Sequence, residues 1–395
     1  MGKKSILVFG VGELQFSIIE RAKKMGLFVV GIDPCVDAAC KASCDAFEVV
    51  GGQDYERTLD IVKKYNVSAI VTAATDKPLI MMARVAKSLN LPFYSEETAV
   101  WSTDKFQMKQ RFQEGGVPCA QGRLIHSAEE AKDLFFPVIC KPRDNSGSRG
   151  VKLCCDFQEL QECIDEALQY SRLGTVLVEE FIEGCEFSIE SLHYDGKSEV
   201  IQFTEKKTTE FPYNVELGHK QPANLTENKR EQIRAIISKI ADCMHFENCS
   251  SHTELKVNDR GIFVIETSPR LGGDYITSAL TPLSTGINLE DQLLHIALGK
   301  PVDTKTGRVE KSSAVCFFSL PEGEVTAIDE KVKTVSLWPN VYSFELKLKV
   351  GDKINQITSS LNRYGQFIVA GENRAEVNRL VGEYENKINN LISVR

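Results

Sequence analysis

Glu254 and Glu266 lie in the stretch Ser251 to Ser268, on either side of Asp259-Arg260-Gly261. The flanking runs predict two strands, and the tripeptide predicts a three-residue hairpin loop with Gly261 where a left-handed backbone is favoured. If Asn258 pairs with Ile262, then Lys256 pairs with Val264 and Glu254 with Glu266, on one face of the hairpin. Like charges placed in that way repel unless something neutralises them. A hard divalent cation with oxygen ligands suits the arrangement, and Mg²⁺ shares a few carboxylates with substrate phosphates. The plainer account, two glutamates on a solvated face, is weakened by Phe263-Val264-Ile265, which reads as core just before Glu266. Downstream, Pro269-Arg270-Leu271-Gly272-Gly273-Asp274 places a guanidinium beside this site. Arg270 could stabilise phosphoryl charge or fork onto a substrate carboxylate; the simpler alternative is a salt bridge to Asp274. Gly272-Gly273 lets backbone approach a ligand, or is a plain turn.

A second region with chemical potential is Lys141 and the loop Arg143-Asp144-Asn145-Ser146-Gly147-Ser148-Arg149-Gly150. Its small residues let backbone N–H groups approach a phosphate. GxxxxGK[ST] is absent and the next segment reads as a strand, so this is not a P-loop, and a surface hairpin is the alternative. Lys141 ends an otherwise apolar strand, where a cation is costly without an anionic partner.

The elements that must position these groups follow from periodicity. Residues 5–10 read as a buried strand, 14–25 as an amphipathic helix, Phe28 to Ile32 as a strand, 56–65 as a helix, Ala69 to Thr72 as a strand, Pro78 to Leu89 as a helix and Pro92 to Tyr94 as a short strand. That alternation predicts a doubly wound parallel sheet over about the first hundred residues. Gly10-Val11-Gly12 invites a dinucleotide reading, but Gln15 stands where the third glycine of GxGxxG belongs. Beyond Pro118, strands are expected at 137–141, 151–155, 176–181, 187–193, 313–319, 341–349 and 366–370. Helices are expected at 157–170, 229–244, 289–298 and 374–392, and Lys300 to Lys311 is the most linker-like stretch.

The 395 residues carry 47 Lys+Arg against 55 Asp+Glu, a net charge of −8, which argues against a nucleic-acid or anionic-membrane surface. No apolar run reaches the roughly 18 residues of a membrane span, and the N-terminal run is too short for a signal peptide. Twelve irregularly spaced cysteines read as reduced thiols in cytoplasm; Cys35, Cys40 and Cys44 have no CxxC or nearby His to complete a metal cluster.

Taken in order, these segments resemble the ATP-grasp superfamily, in the branch of biotin carboxylase, the carbamoyl-phosphate synthetase large subunit, the purine-pathway grasp enzymes and the L-amino-acid ligases. The resemblance covers nearly the whole chain, and its specificity lies in the order of several separated motifs. It implies an α/β and α+β fold: an N-terminal doubly wound parallel sheet (the preATP-grasp domain, 1–100), a two-lobed ATP-grasp module (101–300, lid lobe about 118–185) and a small C-terminal α+β domain (301–395). Thr103-Asp104-Lys105 and Lys109-Gln110-Arg111 resemble the start of the grasp module, where the lysine matched by Lys105 contacts ATP phosphate. Lys141 matches the lysine that reaches the α/β-phosphates, and Ser146, Gly147, Ser148 and Gly150 match the glycine-rich lid. Val178-Glu179-Glu180-Phe181-Ile182-Glu183-Gly184 resembles the adenine-reading hinge, with Glu179, Glu180 and Ile182 in that role, and Glu186 falls where ribose is bound. Glu254 and Glu266 match the acids that hold Mg²⁺ (or Mn²⁺). Ser268 departs from the family's Glu-x-Asn, replacing an amide carbonyl by a hydroxyl as the third metal-side group. Arg270 matches the arginine beside the transferring phosphoryl group, a catalytic position with Lys141. Phe211 to His219, with His252-Thr253-Glu254, looks most like the L-amino-acid ligases, with His219 near ATP or substrate or else an interior histidine satisfied by backbone.

The resemblance implies an ADP-forming carboxylate-amine ligase that acts on small-molecule carboxylates and amines through an acyl phosphate, with no nucleic-acid or membrane partner and with a homodimer, common among relatives, as one assembly it allows. The alternatives are a carboxylating or formylating grasp enzyme of purine or carbamoyl-phosphate type, and an ATP-binding regulator without turnover, which Ser268 motivates.

Overall fold

The computed structural model describes residues 3–145, Gly147 and 149–395. Ser146 and Ser148 therefore lie outside the described residues. The first strands form a four-stranded parallel sheet in the order Ala46–Val49, Phe28–Asp33, Ser5–Phe9, Val67–Val71. All five residues of Ser5–Phe9 are buried, as in a strand covered on both faces by crossover helices. Those helices are Phe16–Lys24, Tyr55–Lys64 and Leu79–Ser88. Pro92 to Tyr94 does not add a strand. Pro92 has no N–H to give to a ladder, and the segment instead buries Tyr94 against Phe93 and runs to Ser95, which caps the helix Glu96–Thr103.

The Gly10–Gly12 turn is filled by the chain's own side chains. Gln15 Oε1 accepts from Gly12 N at 3.1 Å, Gln15 Nε2 donates to Ala73 O, and Asp33 Oδ2 accepts from Val11 N at 2.9 Å. Backbone donors that a pyrophosphate would need are already used, which removes the support for a dinucleotide site there.

A four-stranded antiparallel sheet, in the order Gly122–Ile125, Val176–Glu180, Val138–Pro142, Lys152–Cys154, is covered by the helix Phe157–Tyr170 and has its own core, including Ile125, Val138, Leu160, Ile164 and Val178. Asp156 accepts from Glu159 N and so starts that helix. The largest sheet is eight-stranded and antiparallel: Gly261–Ser268, Cys249–Asn258, Cys185–Tyr194, Lys197–Thr208, Glu216–Gln221, Ser312–Phe317, Gly365–Gly371, Val341–Leu346. It continues through residue 300, so the C-terminal strands extend the sheet that carries the candidate site. The helix Arg374–Asn389 and a three-stranded sheet complete the C-terminal core. All twelve cysteines are free thiols. Among the described residues no three His, Cys, Asp or Glu side chains gather as a metal-ligating group, and no helix is long and apolar enough to cross a membrane.

Candidate active site

The hairpin carries Glu254 and Glu266 as direct cross-strand partners, by a register different from the expected one. Asn258 pairs with Gly261, so the loop has two residues, and pairing then runs Lys256 with Phe263 and Leu255 with Val264. A bulge at Ile265 shifts the register by one and brings Glu254 against Glu266. Asn258 Oδ1 accepts from the N–H groups of Arg260 and Gly261 and holds the turn.

Each carboxylate has its own lysine. Lys206 Nζ lies 3.0 Å from Glu254, 3.2 Å from Glu216 and 3.7 Å from Glu186, and Lys105 Nζ donates to Glu266 Oε2 at 2.7 Å. Against the cost of burial, Glu254 and its two acidic neighbours hold Lys206 well above the usual lysine range, and Lys206 with His252 holds Glu254 well below the usual carboxylate range. Glu266, likewise against burial, raises Lys105. Lys105 is the first residue of the helix Lys105–Glu114, whose cap Asp104 also forks onto Arg143 at 2.8 and 2.6 Å, tying helix start to lid start.

Lys141, buried on the strand Val138–Pro142, contacts Glu179, and Lys109 reaches the other Glu179 oxygen at 2.7 Å. Burial pushes Lys141 below the usual lysine range despite Glu179. Glu179 thus has its carboxylate between two lysines, while Glu180 Oε1 accepts from Gln121 N and Ile182 is buried. Glu186 accepts from Asn214 at 2.7 Å and meets Lys256 at 3.2 Å. Lys105, Lys141, Gly147, Glu179, Glu180, Ile182, Glu186, Glu254 and Glu266 all line one cleft, together with Lys206 and Phe181. Gly150 has φ +71°, and a Cβ there would come within 2.8 Å of the Tyr170 ring, so the lid packs through it.

Ser268 and Arg270 line an adjoining cleft that shares Lys105 and Glu266 with the first. Arg270 does not pair with Asp274. It forks onto Asp76 at 2.8 and 3.2 Å, and Ser268 Oγ donates to the same carboxylate at 2.6 Å. Gly272 sits where a Cβ would be 2.7 Å from both Glu190 Oε1 and His252 Nδ1; its glycine serves that packing. His252 bridges Glu190 at 2.5 Å and Glu254 at 3.3 Å, and against burial Glu190 pushes its imidazolium up to about 9. His219 is buried, 3.4 Å from Asp274, which in turn is forked by Arg363 at 2.7 and 2.6 Å.

Sequence reasoning missed Lys206, Asp76, Glu190 and Arg363. Only Lys206 had a local signal: in Glu205-Lys206-Lys207 a strand's alternation turns one lysine inward and the next outward. The others meet the site through contacts distant in sequence. The donor set fits a hard cation: two carboxylates on paired positions, already requiring positive charge that two lysines supply.

Comparison with known proteins follows the same order along the chain. Residues 134–278 match the ATP-grasp domain and residues 316–389 the L-amino acid ligase C-terminal domain 2. The structure resembles the L-amino acid ligase from Bacillus licheniformis with TM-score 0.84 and 20% identity, covering 100% of this chain and 99% of that one; at that identity the likeness establishes the fold. The alanine–anticapsin ligase of Bacillus amyloliquefaciens is 22% identical over 367 residues, 80% of this chain and 76% of that protein. The formate-dependent phosphoribosylglycinamide formyltransferase of Wolinella succinogenes is 23% identical over 338 residues, 82% and 83% of the two chains.

Proposed function

The chain carries an ATP-grasp domain and an L-amino acid ligase C-terminal domain, and from that premise we propose that it is an ADP-forming ligase joining a small-molecule carboxylate to an amine. The observation that carries the reading is the cross-strand pair Glu254–Glu266 with its lysines Lys206 and Lys105, beside Arg270.

In the first half-reaction a carboxylate oxygen attacks the γ-phosphorus of ATP, the bond to the β–γ bridging oxygen breaks, and ADP leaves. In the second, the amine attacks the acyl carbon, the carbon–oxygen bond to phosphate breaks, and inorganic phosphate and a proton leave. Such transfer needs alignment and charge neutralisation and no protein nucleophile. Lys141 and Lys105 meet the phosphates, and Lys141, short of counter-charge in its buried position, gains an anionic partner when nucleotide binds. Backbone around Glu180 and Ile182 reads adenine, Glu179 orients Lys141, and Glu186 meets ribose. Glu254 and Glu266 would hold Mg²⁺ or Mn²⁺; Ser268, donating to Asp76, keeps its oxygen lone pairs for the cation or its water. When bound, the cation supplies neutralisation of phosphate oxygens. Asp76 and Ser268 set Arg270 against the transferring group, while His219, buried beside Asp274, is not among the residues lining these clefts. The lid, from Arg143 to Gly150, excludes water from the acyl phosphate.

The domain limits 1–100, 101–300 and 301–395, and a homodimer, belong to the same proposal. The twelve free thiols support a cytoplasmic setting. The likeness to the formyltransferase supports a second reading, a formylating or carboxylating grasp enzyme. The test is ADP release with pooled amino acids and small carboxylates, each with and without amines or with a purine-type ribonucleotide amine. ADP that depends on both carboxylate and amine supports the ligase; dependence on the ribonucleotide supports the second reading. ATP binding with no turnover on any pool makes the protein a regulator and rejects both.

A further inference from the structure

The segment that follows Arg270 borders two spaces. Arg270 faces the cleft it shares with Lys105 and Glu266, whereas Gly272, Gly273 and Asp274 line a separate cavity of about 690 Å³, within the size of small-molecule sites. The rest of that cavity is lined by the start of the first helix and by the C-terminal strands.

The cavity is amphipathic in a specific way. Leu14, Phe16, Tyr342 and Leu361 line it while remaining 46%, 49%, 60% and 78% exposed, a cluster of apolar side chains that water covers at a cost. Deeper, Glu290 and Gln366 are almost fully buried, and each leaves its Oε1 without a hydrogen-bond partner. The other Glu290 oxygen receives Ser17 Oγ and lies 3.5 Å from Arg21 Nε. The Gln366 oxygen, and the Glu290 oxygen once its carboxyl is ionised, are acceptors, so what is missing there is a donor. The adjoining Asp274 and Tyr275 both take left-handed backbone, φ 50° and 63°, costly for residues with side chains and held there by the Arg363 fork.

Resting on the ligase reading above, we propose that this cavity receives the amine substrate and selects amines with an apolar body: N–H groups toward the wall of Glu290 and Gln366, the apolar part against Phe16, Tyr342 and Leu361. The carboxylate substrate belongs in the other cleft, because it must reach phosphate among Lys105 and Arg270. The segment 270–274 borders both spaces, Arg270 on the one side and Gly272 to Asp274 on the other.

The test separates the half-reactions. With ATP, Mg²⁺ and a carboxylate, hydroxylamine traps the acyl phosphate as a hydroxamate and reports the first step. Amide formation with 2-phenylethylamine and isopentylamine, against ethylamine and ethanolamine, reports the second. Leu361→Asp and Tyr342→Asp are expected to raise KM for the two apolar amines about tenfold, the loss of one apolar contact of about 1.4 kcal/mol. They should leave KM for ethylamine and ethanolamine, and the hydroxamate rate, within about twofold. Unchanged KM for the apolar amines with normal hydroxamate formation overturns this inference and leaves the ligase standing. A shift in oligomeric mass of the variants without that KM change makes the apolar cluster a contact between copies, which also overturns it. No hydroxamate from the wild-type protein with any carboxylate rejects the ligase reading itself.

Discussion

Glu254 and Glu266 face each other across neighbouring strands, and each is held by a lysine from a different part of the fold, Lys206 from the central sheet and Lys105 from the start of a helix. The repulsion expected of paired carboxylates is thereby offset within the chain. With that positive charge supplied by the chain itself, the site can fold before its substrates arrive.

Glu266→Gln keeps the side chain's shape and a hydrogen bond to Lys105 but removes one charge. Carboxylate- and amine-dependent ADP formation should fall by about 100-fold or more at saturating Mg²⁺, with the thermal midpoint nearly unchanged. A near-normal rate in that variant rejects the metal role of Glu266.

The hairpin was legible because strand alternation and a turn signal are local, and the expected opposition of the two glutamates is present in the fold. Its register was not: the bulge at Ile265 compensates a tighter turn, and nothing in the alternating pattern marks the extra residue. The parallel sheet was legible from its buried runs, but Ala46–Val49, whose burial is only intermediate, carried no such run. Arg270 shows the other limit. Its nearest acid in sequence was Asp274, yet Asp76 takes it and Arg363 takes Asp274. Which ion pairs form depends on which loops the sheets bring together, and that information is not local.

Glu179 is the shared counter-charge of Lys109 and Lys141. Glu179→Ala leaves two buried ammonium groups facing each other and should cost about 3–5 kcal/mol of stability, read by chemical denaturation. Lys141→Ala leaves Glu179 paired with Lys109, so its stability loss should be smaller, while its Kd for a non-hydrolysable ATP analogue rises. A harmless Glu179→Ala, or an unchanged Kd in Lys141→Ala, contradicts this division of roles.

Gly272→Ala places a methyl group 2.7 Å from both Glu190 Oε1 and His252 Nδ1, where Gly273→Ala would meet only the Ala74 methyl at 3.4 Å. Overpacking of that kind costs about 1–3 kcal/mol. The thermal midpoint should therefore drop clearly for Gly272→Ala and much less for Gly273→Ala; equal midpoints would mean that Glu190 and His252 yield freely.

Glu290 supplies a pH test. Burial pushes its carboxyl up to about 7, against opposing help from Ser17 and Arg21. A carboxyl whose folded pKa exceeds its unfolded value binds its proton more tightly in the native state, so stability is greatest below the unfolded value near 4.5 and declines as pH rises through about 7. The decline attributable to this group is at most about 3 kcal/mol. Glu290→Gln has no proton to lose, and the difference between its thermal midpoint and that of the wild type should move in the variant's favour between about pH 5 and pH 8. A midpoint difference that stays constant across that range would show that Glu290 titrates alike in the folded and unfolded chain.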